Sequence, residues 1–169
     1  MHTEGVAHGP STLFLHTGAT NVVRPSMGSW ISYGLGTPNK NLPAFVTLMP
    51  SSSKGGPRNY SNAFLPTAHQ GTCVGRAGQR AQDATIKNIA NKSMSPDLQR
   101  KQFDFMQRLN REQVSGVDDQ LEATIASYEL AWRMQMNAPG IMDTSGESKS
   151  TLEMYGIGTK ETEDFGRQC

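Results

Sequence analysis

The run Arg24-Pro25-Ser26-Met27-Gly28-Ser29-Trp30-Ile31-Ser32-Tyr33-Gly34-Leu35-Gly36 leaves its backbone few choices. Pro25 keeps the entry extended, because a proline disfavours helical geometry in the residue before it. Ser26 can accept a hydrogen bond from a backbone N–H of the first turn. Met27, Trp30, Ile31 and Tyr33 then recur at near-helical spacing, which predicts one buried apolar face. Gly34 and Gly36 tolerate positive φ and predict the stop. A short packed helix with a glycine exit follows. Arg24 stands at its mouth, either facing an anion or as a solvated surface charge.

Upstream, Val6 to Gly18 reads as a loop and then a short helix. Pro10 suits the first turn, Leu13, Phe14 and Leu15 form the apolar body, and Gly18 is the stop. Ala19 to Val23 is a loop leading to Arg24. Thr37-Pro38-Asn39-Lys40-Asn41 is a turn by composition, and Leu42 to Met49 is short, apolar and β-prone at its centre. That segment predicts a buried strand ended by Pro50. Two helices followed by a buried strand point to an α/β domain. Ser51 to Pro57 is a loop, and Arg58 to Arg80 has no sustained period. A stretch of that length is a functional segment or a surface excursion, and 51–80 could serve as a partner-binding surface. Around Ile86 and Ile89 the chain suits either a strand or a turn of helix.

The second half changes character. Ser95 caps a helix, Pro96 takes its first position, and Leu98, Phe105, Met106 and Leu109 form a stripe to about Val114. Ser115-Gly116 breaks it. A second helix starts near Asp118, carries Leu121, Ile125, Tyr128, Trp132 and Met136 on one face, and ends at Pro139-Gly140. Residues 95–137 are therefore expected to form an antiparallel hairpin, with Arg100, Lys101, Arg108 and Arg111 on solvated faces. One or two helical turns are expected over Ser148 to Tyr155. Glu161, Glu163 and Asp164 before Phe165 resemble a helix start at the end of the sequence. Both ends look cut, so residues 1–169 read as part of one larger domain, incomplete on both sides.

Composition narrows the functional classes. Hydrophobic content of 36%, with 17 Gly and 9 Pro, makes the chain loop-rich. A formal charge of +1 gives no bulk attraction to nucleic acid or anionic lipid. No apolar run approaches the ~20 residues of a membrane span, and no secretory signal opens the sequence. Cys73 and Cys169 lack partners at metal or disulfide-framework spacing.

His2, His8, His16 and His69 show no His-x-His or His-x-x-x-His spacing, so a metal centre built from these residues alone is not expected. His8 precedes Gly9-Pro10 and a helix, where backbone N–H groups would face an anion. It either caps that helix, or ligates a metal, donates to an anion, or acts as nucleophile or base. His16 reads as structural and His69 as a surface residue.

Taken together, His8-x-Pro10, Leu13-Phe14-Leu15, Thr17-Gly18 and the Arg24–Gly36 block resemble the sulfatase-like bacterial proteins of the domain-of-unknown-function 1501 family. Asn41 to Val46, Phe64-Leu65-Pro66, Ile125 to Gln135, Tyr155-Gly156 and Phe165 to Cys169 fit it in the same order. The resemblance implies the alkaline phosphatase superfamily, whose three-layer fold has helices on both faces of a large α/β sheet. It also implies hydrolysis of phosphate or sulfate esters, of small molecules or polysaccharides, with divalent metal ions and a nucleophile at a helix start. An exported, periplasmic location is implied as well. On the sulfatase pattern, Pro10 and Thr17-Gly18 match, His8 occupies the nucleophile slot and Thr12 the arginine slot. A formylglycine nucleophile is made from Cys or Ser, and neither stands there. The resemblance thus makes His8 and Arg24 the catalytic candidates and Ser26 a substrate-binding one, with the metal ligands outside these residues and His8 as one contributor. On this reading the fragment alone is inactive. The alternative it leaves open is an exported binding or surface protein that kept the fold without hydrolysis.

Overall fold

The computed structural model describes residue 3, residues 5–113 and residues 119–169. Helices α1 (His8–Thr17) and α2 (Met27–Leu35) come first, followed by strand β1 (Val46–Leu48). A crossover with 3-10 turns at Gly56–Tyr60 and Thr67–His69 leads to β2 (Thr72–Val74). After a third 3-10 turn, Ala81–Asp83, come α3 (Pro96–Gln113), α4 (Asp119–Ile141), α5 (Lys149–Met154) and α6 (Glu163–Gly166). The strands are parallel, with Val46, Thr47 and Leu48 opposite Thr72, Cys73 and Val74. A parallel pair needs a crossover, and the irregular 51–71 segment is that crossover. Mixed helix with a small parallel sheet is α/β-like, as expected. An antiparallel bridge from Val74 to Ile86 accounts for the short apolar signal near Ile86.

The glycine and serine signals place the first two helices well. Gly18 takes φ 68° and its N–H donates to the Phe14 carbonyl at 2.8 Å, closing α1. Ser26 caps α2 by accepting from the Ser29 N–H, and Gly36 ends it at φ 67°. Gly34 stays helical, so only the second glycine makes the stop.

The facing of α2 is the reverse of the one predicted. Ser26, Ser29 and Ser32 are 0%, 0% and 3% exposed, whereas Trp30 and Tyr33 are 47% and 54% exposed. Met27 and Ile31 are also about half exposed. Close approach explains the reversal. A Cβ on Gly28 would meet the Phe45 ring at 2.5 Å, so this side of the helix admits only small side chains. Apolar spacing identified the helix but not its inward side.

The strand reading also needs correction. β1 spans three residues, and Val46 and Leu48, which share one face by the period of two, are half exposed. The strand is therefore not buried.

Ser95 and Pro96 start α3 as expected, with the Ser95 hydroxyl accepting from the Leu98 N–H at 3.4 Å. The predicted break at Ser115-Gly116, the stripe's end at Val114 and the restart near Asp118 lie outside the described residues. α3 and α4 pair antiparallel: Gln99 donates to Gln135 at 2.7 Å, Phe103 stacks on Trp132 at 6.2 Å, and Gln107 donates to the Ile125 carbonyl at 3.3 Å. Leu98, Phe105, Met106 and Leu109 are exposed, and among the described α3 side chains Gln107 is buried. Arg100 is not simply solvated. It bridges Asp104 at 2.7 Å and Glu129 at 3.5 Å, over the rings of Phe103 and Trp132. Pro139 does not end α4, which runs on to Ile141. So near the terminus a proline forfeits one i→i−4 bond without stopping the helix. Ser148 caps α5, and α6 is joined to the 81–83 turn where the Asp164 carboxylate accepts from the Ala81 N–H at 2.6 Å.

Among the described residues, the buried apolar side chains include Leu13, Ala19, Pro25, Leu65 and Ala138, beside the buried polar Ser26, Ser29, Ser32 and Gln107. The interior is held as much by hydrogen bonds as by apolar area. No described helix is long and apolar enough to cross a membrane.

Candidate functional site

α1 begins against the loop that leaves β1. A Cβ on Gly9 would lie 3.8 Å from the Gly55 nitrogen and 3.9 Å from the Ser53 carbonyl oxygen, so the helix start and the loop are in close contact. Gly55 can make this turn because it takes φ 86°. A cavity of about 390 Å³ opens there, lined by Gly9, Pro10, Thr20, Asn21, Gly55 and Arg58, among others. Arg58 is its cation. One guanidinium nitrogen, Nη2, donates to the carbonyls of Thr20 at 3.4 Å and Val22 at 3.2 Å. This fixes the loop entering Arg24 and leaves the rest of the fork without a partner among the described residues. Sequence reasoning missed Arg58. Its signal was Gly55-Gly56-Pro57 immediately before an arginine, a turn that brings backbone and guanidinium together.

His8 is the first helical residue and is exposed; Ala7 is the cap, and no side chain caps α1. The cap alternative for His8 therefore falls. Its neighbours Gly9 and Pro10 line the cavity, whereas His8 does not. Arg24 is exposed and makes no hydrogen bond or ion pair among the described residues.

Ser26 has a different place from the one expected of a substrate-binding residue. It is fully buried, its N–H donates to the Ser61 carbonyl at 2.9 Å, and its hydroxyl bonds with that of Ser29 at 3.0 Å. The Ser29 hydroxyl donates to the same Ser61 carbonyl at 3.1 Å. In this arrangement Ser26 fixes the turn that presents Arg24 and has no hydroxyl to offer a ligand.

One turn further along α2, Ser32 Oγ lies 2.8 Å from His69 Nδ1. His69 is half-buried, not the surface residue predicted, and burial holds its pKa below the ordinary 6.5, favouring neutral imidazole. Its ring meets Tyr33 edge-on at 5.3 Å, Tyr33 meets Trp30 at 6.2 Å, and Trp30 meets Phe64 at 5.9 Å. Gln70 clamps the same loop, donating to the Tyr60 carbonyl at 2.9 Å and accepting from the Asn62 N–H at 3.1 Å. Burial, with a smaller contribution from Cys73, pushes the Tyr60 phenol up to about 12, so it stays protonated near neutral pH.

A larger cavity of about 760 Å³ lies beyond the carboxyl ends of both strands, lined by Leu48, Met49, Val74, Leu152, Ile157 and Arg167, among others. Arg167 is already paired with Glu163 at 3.0 Å. None of His8, Arg24 and Ser26 lines this cavity.

Among the described residues, no group of three or more His, Cys, Asp and Glu side chains could hold a metal ion. His8 has no such companions, so these residues do not fit a divalent-metal site by themselves.

Helices together with a small two-stranded parallel sheet make this an α/β-like protein, with an arginine-lined cavity beside the start of α1. The chain belongs to the family described as Protein of unknown function (DUF1501), which matches residues 1–169. No curated protein and no solved structure matches the chain.

Proposed function

We propose that this chain is one portion of a sulfatase-like hydrolase of phosphate or sulfate esters, and that its α1–α2 block receives the anionic group. The domain would be of the three-layer alkaline phosphatase type, with residues 95–137 as a hairpin inside it. The observation that carries the reading is Arg58 at the cavity beside the start of α1. With Nη2 committed to backbone carbonyls, the Nε–H and Nη1 donors of Arg58 are left to meet oxygens of a phosphate or sulfate. The free N–H groups of a helix start add fixed positive potential in the same place. Arg24, which precedes the buried serine turn, is a second exposed cation in the same block.

A divalent ion, when bound in a protein of this type, would polarise the ester and stabilise the leaving charge. The described residues offer no ligand set for one, so no step is assigned to it. His8 is then a candidate for proton transfer or nucleophilic attack from the exposed first turn. An exported location accompanies this reading, and cell fractionation checks it.

The test is turnover of p-nitrophenyl phosphate and p-nitrophenyl sulfate by the intact protein, with its metal content measured alongside. Arg58→Ala should lower kcat/KM by about 100-fold, the scale of losing one donor to a developing oxyanion. His8→Ala should lower kcat more than it changes KM. Absence of turnover of either ester removes the hydrolase reading. An exported binding protein that keeps the fold is the second reading, in keeping with the lack, among the described residues, of a group of three or more His, Cys, Asp or Glu side chains able to hold a metal. Ester binding without turnover distinguishes it.

A further inference from the structure

We propose that the cavity between α3 and α4 at Gln107 binds a primary alkylammonium group, such as one end of a diamine or polyamine, with the ammonium shared by Gln107 Oε1, Glu122 and Glu129. This site lies in the hairpin, outside the α1–α2 block, and stands independently of the ester-hydrolase reading.

A buried acceptor carries the argument. Gln107 is 5% exposed, and its Oε1 has no hydrogen-bond partner among the described residues. The amide nitrogen of the same side chain donates to the Ile125 carbonyl at 3.3 Å, which fixes the orientation of the oxygen. Burying an amide oxygen without a donor costs about 1–3 kcal/mol. Such a group in a folded protein points to an occupant that donates to it. Space for one is present. Gln107 lines a cavity of about 290 Å³, far more than the ~30 Å³ share of a single water molecule.

Charge and spacing give the class of occupant. Three carboxylates, Asp104, Glu122 and Glu129, line the cavity against two guanidiniums, Arg100 and Arg111. Arg100 takes Asp104 at 2.7 Å. Glu129 has only more distant partners, Arg100 at 3.5 Å and Arg133 at 3.6 Å, and Glu122 has no ion pair among the described residues. Glu122 and Glu129 stand three residues before and four after Ile125 on α4, one turn to either side of the carbonyl that Gln107 reaches. The two carboxylates thus bracket the Gln107 amide along the helix. Three acceptors with surplus negative charge match an ammonium, which has three donors and no acceptor. A metal ion fits less well, because no group of three or more His, Cys, Asp and Glu side chains among the described residues could hold one. Phe103, Ile125 and Ala126 line the same cavity and suit the methylene stem. Arg111, exposed and without an ion pair among the described residues, is the opposing charge.

The experiment is calorimetric titration of the intact protein with 1,4-diaminobutane, with thermal melts confirming that each variant is folded. Saturable binding is expected, and added salt should weaken it. Glu122→Gln and Gln107→Leu should each weaken it by about tenfold, whereas Arg111→Ala should strengthen it about threefold by removing like charge. Tetramethylammonium, a cation with no N–H donor, should not bind. No binding of the diamine overturns the site and leaves Oε1 to a water. Equal binding of tetramethylammonium overturns it as well, since charge alone would then suffice. So does binding unchanged in both Glu122→Gln and Gln107→Leu, which would place the diamine elsewhere. Calcium that displaces the diamine and is itself lost in Glu122→Gln assigns the cavity to a metal ion and overturns the amine. Ester turnover is read separately, so failure here leaves the hydrolase reading as it was.

Discussion

The α1–α2 block and the α3–α4 hairpin are both held by polar contacts, but with side chains of opposite size. In the first, Ser26, Ser29 and Ser32 reach one backbone carbonyl and one imidazole, and the helix lies close against the 61–69 loop. In the second, Gln99, Arg100, Phe103 and Gln107 span a wider gap to Gln135, Glu129, Trp132 and Ile125. Short hydroxyl side chains fix geometry and leave no spare volume. Long ones fill space through several rotatable bonds and can readjust. The first region should therefore resist any increase in size, and the second should tolerate changes of size but respond to lost polar partners.

Ser29→Leu tests this most severely. The leucine has no space at a fully buried position, and the Ser61 carbonyl loses one of its two donors. Overpacking together with an impaired buried hydrogen bond should destabilise by about 3 kcal/mol. Gly28→Ala comes next, because its Cβ would meet the Phe45 ring at 2.5 Å. About 2 kcal/mol is expected, since the ring must shift. Urea unfolding measures both. Losses below about 0.5 kcal/mol, the level of ordinary surface changes, would show that α2 is not closely packed.

The same contrast shows what could be read from the sequence. Backbone punctuation was legible in both regions: Gly18, Ser26, Gly36 and Ser95 sit where their conformational and capping preferences put them. The antiparallel hairpin was legible too, from two long periodic segments. Facing was not. Apolar periodicity assumes that the bulky side goes inward, and α2 breaks that assumption because distance to the 61–69 loop, not hydropathy, decides which side fits. Likewise Gln107 and not Leu109 lies inside the hairpin. Short strands fared worst, since three-residue β2 lay within a segment without periodicity. Of the candidate site, Arg24 was legible as an exposed cation at a fixed turn. Arg58 and the Ser32–His69 pair were not, because each depends on contacts 36 to 38 residues apart in sequence.

In the hairpin, Gln107→Leu sharpens the comparison from the other side. The Gln107 Oε1 atom is buried with no partner among the described residues, while its amide donates to a helical carbonyl. Removing a buried, unsatisfied acceptor and filling its place with apolar volume should be neutral or stabilising by about 1 kcal/mol. A loss larger than about 1 kcal/mol would mean that this oxygen is satisfied in solution and that the hairpin is as exacting as α2.

The smallest effect expected is also the one that bears on the joint between the regions, because the Thr67–His69 turn contacts both α2 and α4. Burial lowers the His69 pKa below 6.5 in the folded protein. Between that lowered value and the unfolded value, the unfolded chain binds more protons, so folding stability must rise with pH through this window. The contribution is present in full above about pH 6.5 and is lost as the pH falls below it. His69→Gln keeps a polar group opposite Ser32 but cannot titrate, and should remove that slope. Urea midpoints at about pH 5.5 and about pH 7.5 for both proteins isolate the effect, since the two proteins differ at residue 69 alone. If the difference between the two pH values is the same with and without His69, then Ser32 and His69 do not hold the turn in its neutral form, and the link between the two regions must lie in the backbone contacts alone.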